Sequence, residues 1–135
     1  MRSGQSVTVI DAGALVAALV DEGPQGEAAR AALEQPCSAP EIVDLEVGAV
    51  LRRLVLTGRL TARRAGAAVH DLHDLPMERA SHRPLLERCW ALRGSVSFYD
   101  AAYVALAELL AVPLVTTDAR LASAPGPRCA FVLVR

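Results

Sequence analysis

Short apolar runs alternate with longer stretches of helical spacing along this chain. Residues 7–11, VTVID, are β-branched and end in an acid, which predicts a short buried strand. AGALVAALVDEG then repeats apolar positions at helical spacing until Gly23 and Pro24 stop it, and GEAARAALEQ predicts a second helix running to Pro36. CSAP supplies a brief strand before Pro40 opens a long helix to Thr57, which Gly58 ends. Thr61 starts another helix lasting until about His73, residues 76–80 predict a short strand, and Pro84 begins a helix that ends at Arg93 and Gly94. A strongly helical run containing Asp100 follows, then an apolar strand that stops at Asp118, and after the turn APGPR a last strand, CAFVLV. Short strands alternating with helices, without repeats or linkers, predict one three-layer α/β/α domain over residues 1–135. Its sheet is mainly parallel and flanked by helices.

Bulk composition narrows the classes. A chain of 135 residues is long enough for one core and too short for two ordinary domains. Hydrophobic content of 53% with 21% charge is a folded composition, and a net charge of -1 gives no sign of bulk attraction to nucleic acid or membrane. All 14 basic residues are arginine. The lack of lysine excludes P-loop nucleotide hydrolases, whose GxxxxGK[ST] loop requires one, and phosphoacceptor receiver domains, which rely on a site lysine. Haloacid-dehalogenase-like phosphatases want an aspartate where Gly13 stands, and no GxGxxG follows the first strand. Cys37, Cys89 and Cys129 are far apart with no CxxC pair, which fits neither a disulfide framework nor a zinc knuckle and points to a reducing cytoplasm. Arg2 before an apolar run imitates a signal peptide, but Asp11 breaks that run, and no uncharged window approaches the roughly 18 residues a membrane helix needs.

Several acids compete for attention. Asp11 and Asp118 both precede helices and have a plain explanation as N-caps; Asp100, in a first helical turn, is favoured by the helix dipole. Glu46 discriminates. At about 100° per residue, Glu41, Asp44, Gly48 and Arg52 form one polar sector, whereas Glu46 falls roughly 160° away in line with Ile42, Ala49 and Val50. Asp44 therefore reads as a solvated acid, and Glu46 as an inward one that needs either a partner, with Arg53 at i+7 available, or a cation. Asp100 points inward with Val104 and Ala107. Carboxylates about 5 Å apart at an effective dielectric near 20 repel by on the order of 3 kcal/mol per pair, so such a cluster is maintained mainly to hold divalent cations. An all-oxygen set suits Mg²⁺ or Mn²⁺ rather than zinc.

VIDAGALVAAL, PEIVDLEVGAVLRRL, FYDAAYVALAELL and PLVTTDARL, in this order and spacing, resemble the PIN-domain ribonucleases, in particular the VapC-type toxins of type II toxin–antitoxin pairs. The resemblance covers nearly the whole chain. It implies an acidic metal site at Asp11, Glu46, Asp100 and Asp118, a supporting hydroxyl at Thr116, and a variable position at Thr117. Relatives often carry serine two residues after the first acid, where this chain has Gly13. The resemblance further implies Mg²⁺- or Mn²⁺-dependent hydrolysis of RNA phosphodiester bonds, leaving 5′ phosphate and 3′ hydroxyl ends. It also implies a homodimer and a cognate VapB-like antitoxin whose tail covers the acidic pocket.

RNA, whether tRNA, rRNA or mRNA, must still be held by a slightly acidic protein. Arg52, Arg53, Arg59, Arg63 and Arg64 lie close together in sequence and suit bidentate phosphate contacts, although the same cluster fits a solvated hairpin edge or a dimer interface. Trp90, Phe98, Tyr99, Tyr103 and Phe131 stand mostly at core spacing, so recognition by RNA shape is expected over base stacking. His70, His73 and His82 read as surface residues rather than ligands. The rival from another class is a non-catalytic PIN-like module that binds RNA or a protein without cutting. Four mutually repelling acids give such a module nothing.

Overall fold

The strand nearest the centre of the sheet decides where everything else can go. In the computed structural model, which describes residues 5–135, β1 (Thr8–Ile10) lies between β2 (Cys37–Pro40) and β4 (Leu114–Thr116), with β3 (Glu78–Ala80) and β5 (Phe131–Leu133) at the edges. All four pairings are parallel, and Val9 stands opposite Ser38 on one side and Leu114 on the other. Val9, Ile10, Ala39, Leu114 and Val115 are each at most 1% exposed, as strands covered on both faces require. The chain proceeds outward from β1 through β2 to β3, then returns to the other side of β1 as β4. The order reverses between β1 and β4, and a crevice outside the carboxyl ends of the strands is expected at such a switch point.

The helices α1 (Ala12–Val20), α2 (Pro24–Ala32), α3 (Val43–Leu56), α4 (Ala62–Asp74), α5 (Leu86–Ala91), α6 (Phe98–Leu110) and α7 (Ala119–Ala122) fill the connections. α6 packs on β1, β2 and β4, and its residues from Ala101 through Ala107 are all buried, so it is a core helix all round, not an amphipathic cover. α1 packs on β4 and against α2, α3 and α4. Gly26 lets α2 approach α1 closely: a Cβ there would lie 1.9 Å from the Asp21 carbonyl oxygen.

Element edges differ from expectation for identifiable reasons. Pro40 closes β2 instead of opening the helix, because the Glu41 N–H still donates to the Ala80 carbonyl at 2.9 Å and holds the backbone in the ladder. α3 therefore begins at Val43. Pro24 is the first residue of α2, where its missing N–H leaves no donor unsatisfied. Pro84 sits in a 3₁₀ turn, Arg83–Leu85, that leads into α5.

The polar sector of α3 is also not its solvent sector. Arg79 Nε and Nη2 donate to Asp44 at 3.2 and 3.1 Å, while its Nη1 and Nη2 also bind the carbonyls of Leu75, Met77 and Leu72. Asp44 thus ties α3 to β3 and the end of α4. The buried stripe of α3 is Val43, Val47 and Leu51, and Ala49, expected inside, is exposed. No helix among the described residues is long and apolar enough to cross a membrane.

Candidate active site

Each of the four acids is delivered by a different junction between elements. Asp11 follows β1 and caps α1: Oδ1 accepts from the Ala14 N–H at 2.9 Å, and Oδ2 accepts a short hydrogen bond from the Thr116 hydroxyl. Thr116, at the end of β4, also accepts from the Asp118 N–H at 3.0 Å, so one buried hydroxyl links the first and last acids. Asp118 caps α7 through Oδ1, with the Arg120 and Leu121 N–H groups at 2.9 and 3.2 Å. Asp100 lies in the first turn of α6, whose N-cap Ser97 accepts its N–H at 3.1 Å. The capping explanation of Asp11 and Asp118 is therefore correct as far as it goes. In both, capping occupies Oδ1.

Glu46 lies at the margin of the buried stripe of α3, half-buried. Its partner is not Arg53 but Tyr103, whose hydroxyl donates to Oε1 at 2.6 Å. Tyr103 is 2% exposed on α6, three residues after Asp100, so α6 brings both an acid and the group that holds a second acid. The helical spacing of Tyr103 marks it as core; only the three-dimensional approach of α3 to α6 reveals its hydroxyl's task.

Electrostatics show how these groups share space. Burial pushes the Asp11 carboxyl up to about 6, the bonds from Thr116 and Ala14 oppose the shift, and the charges of Asp100 and Asp118 add to it. Burial likewise raises Asp100, opposed by Ser97 and reinforced by Asp118. Tyr103 is pushed well above the ordinary phenol range, by burial first, then by its bond to Glu46 and the charges of Glu46, Asp11 and Asp100. Asp11, Asp100 and Asp118 thus feel one another, with Glu46 joined to them across Tyr103. Asp100 and Asp118 line one side of an open cleft of about 260 Å³ together with Ser95, Ser97 and Arg120.

The donor set fits a hard divalent cation. All the side chains are oxygen donors, and none of the four acids forms an ion pair with a basic residue among the described residues. Burial raises Asp11 and Asp100 first, and added positive charge would offset both that cost and the repulsion from their acidic neighbours. Among the described residues no group of three or more His, Cys, Asp and Glu side chains converges into a ready-made cage. An open arrangement of this kind suits an ion that keeps several of its waters, as Mg²⁺ does.

The arginine cluster is exposed throughout, and Arg64 stands away from Asp11. Arg64 pairs with Glu22 at 3.2 Å and donates to the Val20 carbonyl at the far end of α1 from Asp11. At 1.5 Å per residue, nine-residue α1 puts roughly 13 Å between those ends. The basic side chain that lines the acidic cleft is Arg120, which the sequence did not single out. The aromatics depart from expectation too: Trp90, Tyr99 and Phe98 are 61%, 61% and 44% exposed. Phe98 and Tyr99, with Leu86 and His82, border a small apolar hollow formed by Ile42, Leu85, Cys89 and Ala102. His70 and His73 are exposed and pair with Asp74, while His82 Nε2 accepts the Ile42 N–H at 3.2 Å near the start of α3.

Known proteins share this pattern along its length. The sequence profile of the PIN domain matches residues 8–127. Ribonuclease VapC1 of Mycobacterium tuberculosis is 47% identical over 129 residues, covering 94% of this chain and 97% of that protein. Ribonuclease VapC9 of the same organism is 37% identical over 126 residues, covering 93% and 97%. Among solved structures, PAE2754 of Pyrobaculum aerophilum superposes with a TM-score of 0.70 at 23% identity over 94% of this chain and 83% of that one. Mycobacterium tuberculosis VapC20, a sarcin-ricin loop cleaving toxin, does so with 0.60 at 18% identity over 79% and 86%. The two structures speak to the fold, and the sequence relatives to descent: the chain belongs to the PIN-domain family, among the VapC ribonucleases.

Proposed function

We propose that this chain is a metal-dependent endoribonuclease, the toxin of a toxin–antitoxin pair, with Asp11, Glu46, Asp100 and Asp118 as the ligands of one or two Mg²⁺ or Mn²⁺ ions. The observation that carries this reading is an acid, Asp11, raised by burial and further by the charges of Asp100 and Asp118, without a cationic partner among the described residues, at the switch point of a parallel sheet. When bound, the metal supplies Lewis-acid activation of the phosphodiester and of the attacking water. The protein's part is placement. Thr116 and the Ala14 N–H fix both oxygens of Asp11, Tyr103 fixes Glu46, and the start of α6 presents Asp100 to the cleft. Arg120 at the cleft and the exposed Arg52, Arg53, Arg59 and Arg63 beyond it hold RNA phosphates. The exposed Phe98 and Tyr99, just before Asp100 in sequence, and Leu86 beside them are assigned to protein contacts: a second copy of the chain and an antitoxin that blocks the acids. The reaction takes place in the cytoplasm.

Purified protein is expected to cut RNA only with Mg²⁺ or Mn²⁺ present, and Asp100→Asn to lower the rate by at least about 100-fold while leaving the thermal melt cooperative. Cleavage that continues unchanged in Asp100→Asn or in excess chelator would overturn the assignment. A wild-type chain that binds RNA without cutting it would instead favour the binding-module reading.

A further inference from the structure

Gly13, in the first turn of α1, has no side chain, and the space this leaves is filled from another element. A Cβ built on Gly13 would lie 2.7 Å from Thr117 Oγ1 and 3.7 Å from Asp11 Oδ1. Carbon and oxygen do not approach to 2.7 Å without something moving, so the Thr117 hydroxyl stands where any other residue at position 13 would put its first carbon. The backbone does not require glycine there: its φ is outside the left-handed region, where among the described glycines only Gly58 and Gly126 fall. Inside a helix glycine is the poorest residue after proline. What glycine provides at this position is room.

The hydroxyl so admitted sits at the acidic rim. Thr117 is half-buried, between Thr116, which binds Asp11 and the Asp118 N–H, and Asp118 itself. The two threonine hydroxyls differ: that of Thr116 spends its single donor on Asp11 and accepts from the Asp118 N–H, whereas that of Thr117 makes no side-chain hydrogen bond among the described residues. A hydroxyl that borders the same small space as a capped carboxylate oxygen, and is unspent, is placed to order solvent there.

We propose that Thr117 is a positioning residue of the acidic site, its hydroxyl admitted by Gly13 and ordering the water around the cation next to Asp11. The two positions form a matched pair in which one hydroxyl is supplied from β4's end because the start of α1 is bare. This rests on the nuclease reading of the acids, and the experiment separates the two.

Thermal melts of the metal-free chain test the pairing alone. In an unobstructed helix Gly→Ala raises Tm, here by roughly 3 °C. Gly13→Ala is expected to lower it in the wild-type background and to raise it in Thr117→Ala. Mn²⁺ titration by calorimetry, together with RNA cleavage, tests the role. Thr117→Val, which keeps the shape and loses the hydroxyl, is expected to weaken Mn²⁺ binding about 3-fold and cleavage about 10-fold. Thr117→Ser is expected to stay within about 2-fold of wild type, and Gly13→Ser/Thr117→Ala to recover most of the loss by returning a hydroxyl from the other side. A rise of Tm in Gly13→Ala on the wild-type background, or Thr117→Val binding Mn²⁺ and cutting RNA like wild type, would overturn the proposal. If wild type neither binds Mn²⁺ nor cuts RNA, it is the nuclease reading that fails. The Tm inversion still reports on the pair.

Discussion

Asp11 shows how one residue serves folding and chemistry at once, and how pH separates the two. Its carboxyl is pushed from the ordinary 3.8 up to about 6, so the folded chain holds the proton more tightly than the unfolded chain does. Stability from this group is therefore full below the unfolded value and declines as pH rises through the folded one, leaving the ionised form short by about 3 kcal/mol. Between about pH 4.5 and pH 7.5 the metal-free wild type is expected to lose about 2 kcal/mol relative to Asp11→Asn in urea melts. Metal binding runs the opposite way. Because the ion must displace that proton, Mn²⁺ affinity is expected to climb up to about 10-fold per pH unit below about 6 and level off above it. Tyr103 makes a milder prediction: Tyr103→Phe removes the hydrogen bond to Glu46, and cleavage is expected to fall about 10-fold for about 1 kcal/mol of lost stability. That Asp11, Asp100 and Asp118 share one rim was readable, because strand ends and the start of the intervening helix meet at the carboxyl edge of a parallel sheet. Tyr103, Thr117 and Arg120 were not, since each gains its meaning from an element distant in sequence. Glu46 was placed too deep because the wheel of α3 took Asp44 for solvent-facing, when Arg79 draws Asp44 against the protein.

Elements were legible to the extent that punctuation is local. Gly23 and Pro24, Gly58 and Thr61 set helix boundaries close to those observed, while Pro40 misled because tertiary pairing with Ala80 kept the strand going. What no local rule reveals is how elements are fastened together. Arg79 is such a fastener, giving donors to three carbonyls around the end of α4 and two to Asp44 on α3, with its side chain 23% exposed. Arg79→Met is expected to destabilise by about 2 kcal/mol in urea melts, since it leaves Asp44 and those carbonyls short of donors. Gly26 fastens by absence. The atom a new Cβ would meet is backbone, which cannot rotate away, so Gly26→Ala is expected to cost about 3 kcal/mol, with α2 pushed off α1. Activity per folded molecule should be preserved in Arg79→Met, because Arg79 bonds none of the four acids.

For the molecule as a whole, net charge of -1 conceals a division of labour. Acids collect at the β1/β4 crevice, while arginines project from the end of α3 and the start of α4, with the length of α1 between the acids and Arg64. The sequence placed the arginines together but not where they stand relative to the acids, because that distance depends on how α4 packs against α1. On the proposed reading, RNA cut in the acidic cleft is expected to pass Arg120, with the exposed Arg52, Arg53, Arg59 and Arg63 as candidates to meet its next phosphates. Arg64 is already engaged by Glu22 and the Val20 carbonyl, so it is the internal control. Each phosphate contact to single-stranded RNA adds about 0.7 to the slope of log affinity against log salt. Arg52→Ala/Arg53→Ala, measured with catalytically inert Asp100→Asn so that RNA stays whole, is expected to reduce that slope by about 1 and to weaken binding about equally for unrelated sequences. Arg64→Ala should leave the slope alone and lower stability slightly. If instead the double variant keeps its slope and sediments at half the mass of the parent, the arginines belong to a contact between two copies of the chain, and the path of RNA must be sought on the Arg120 side of the cleft.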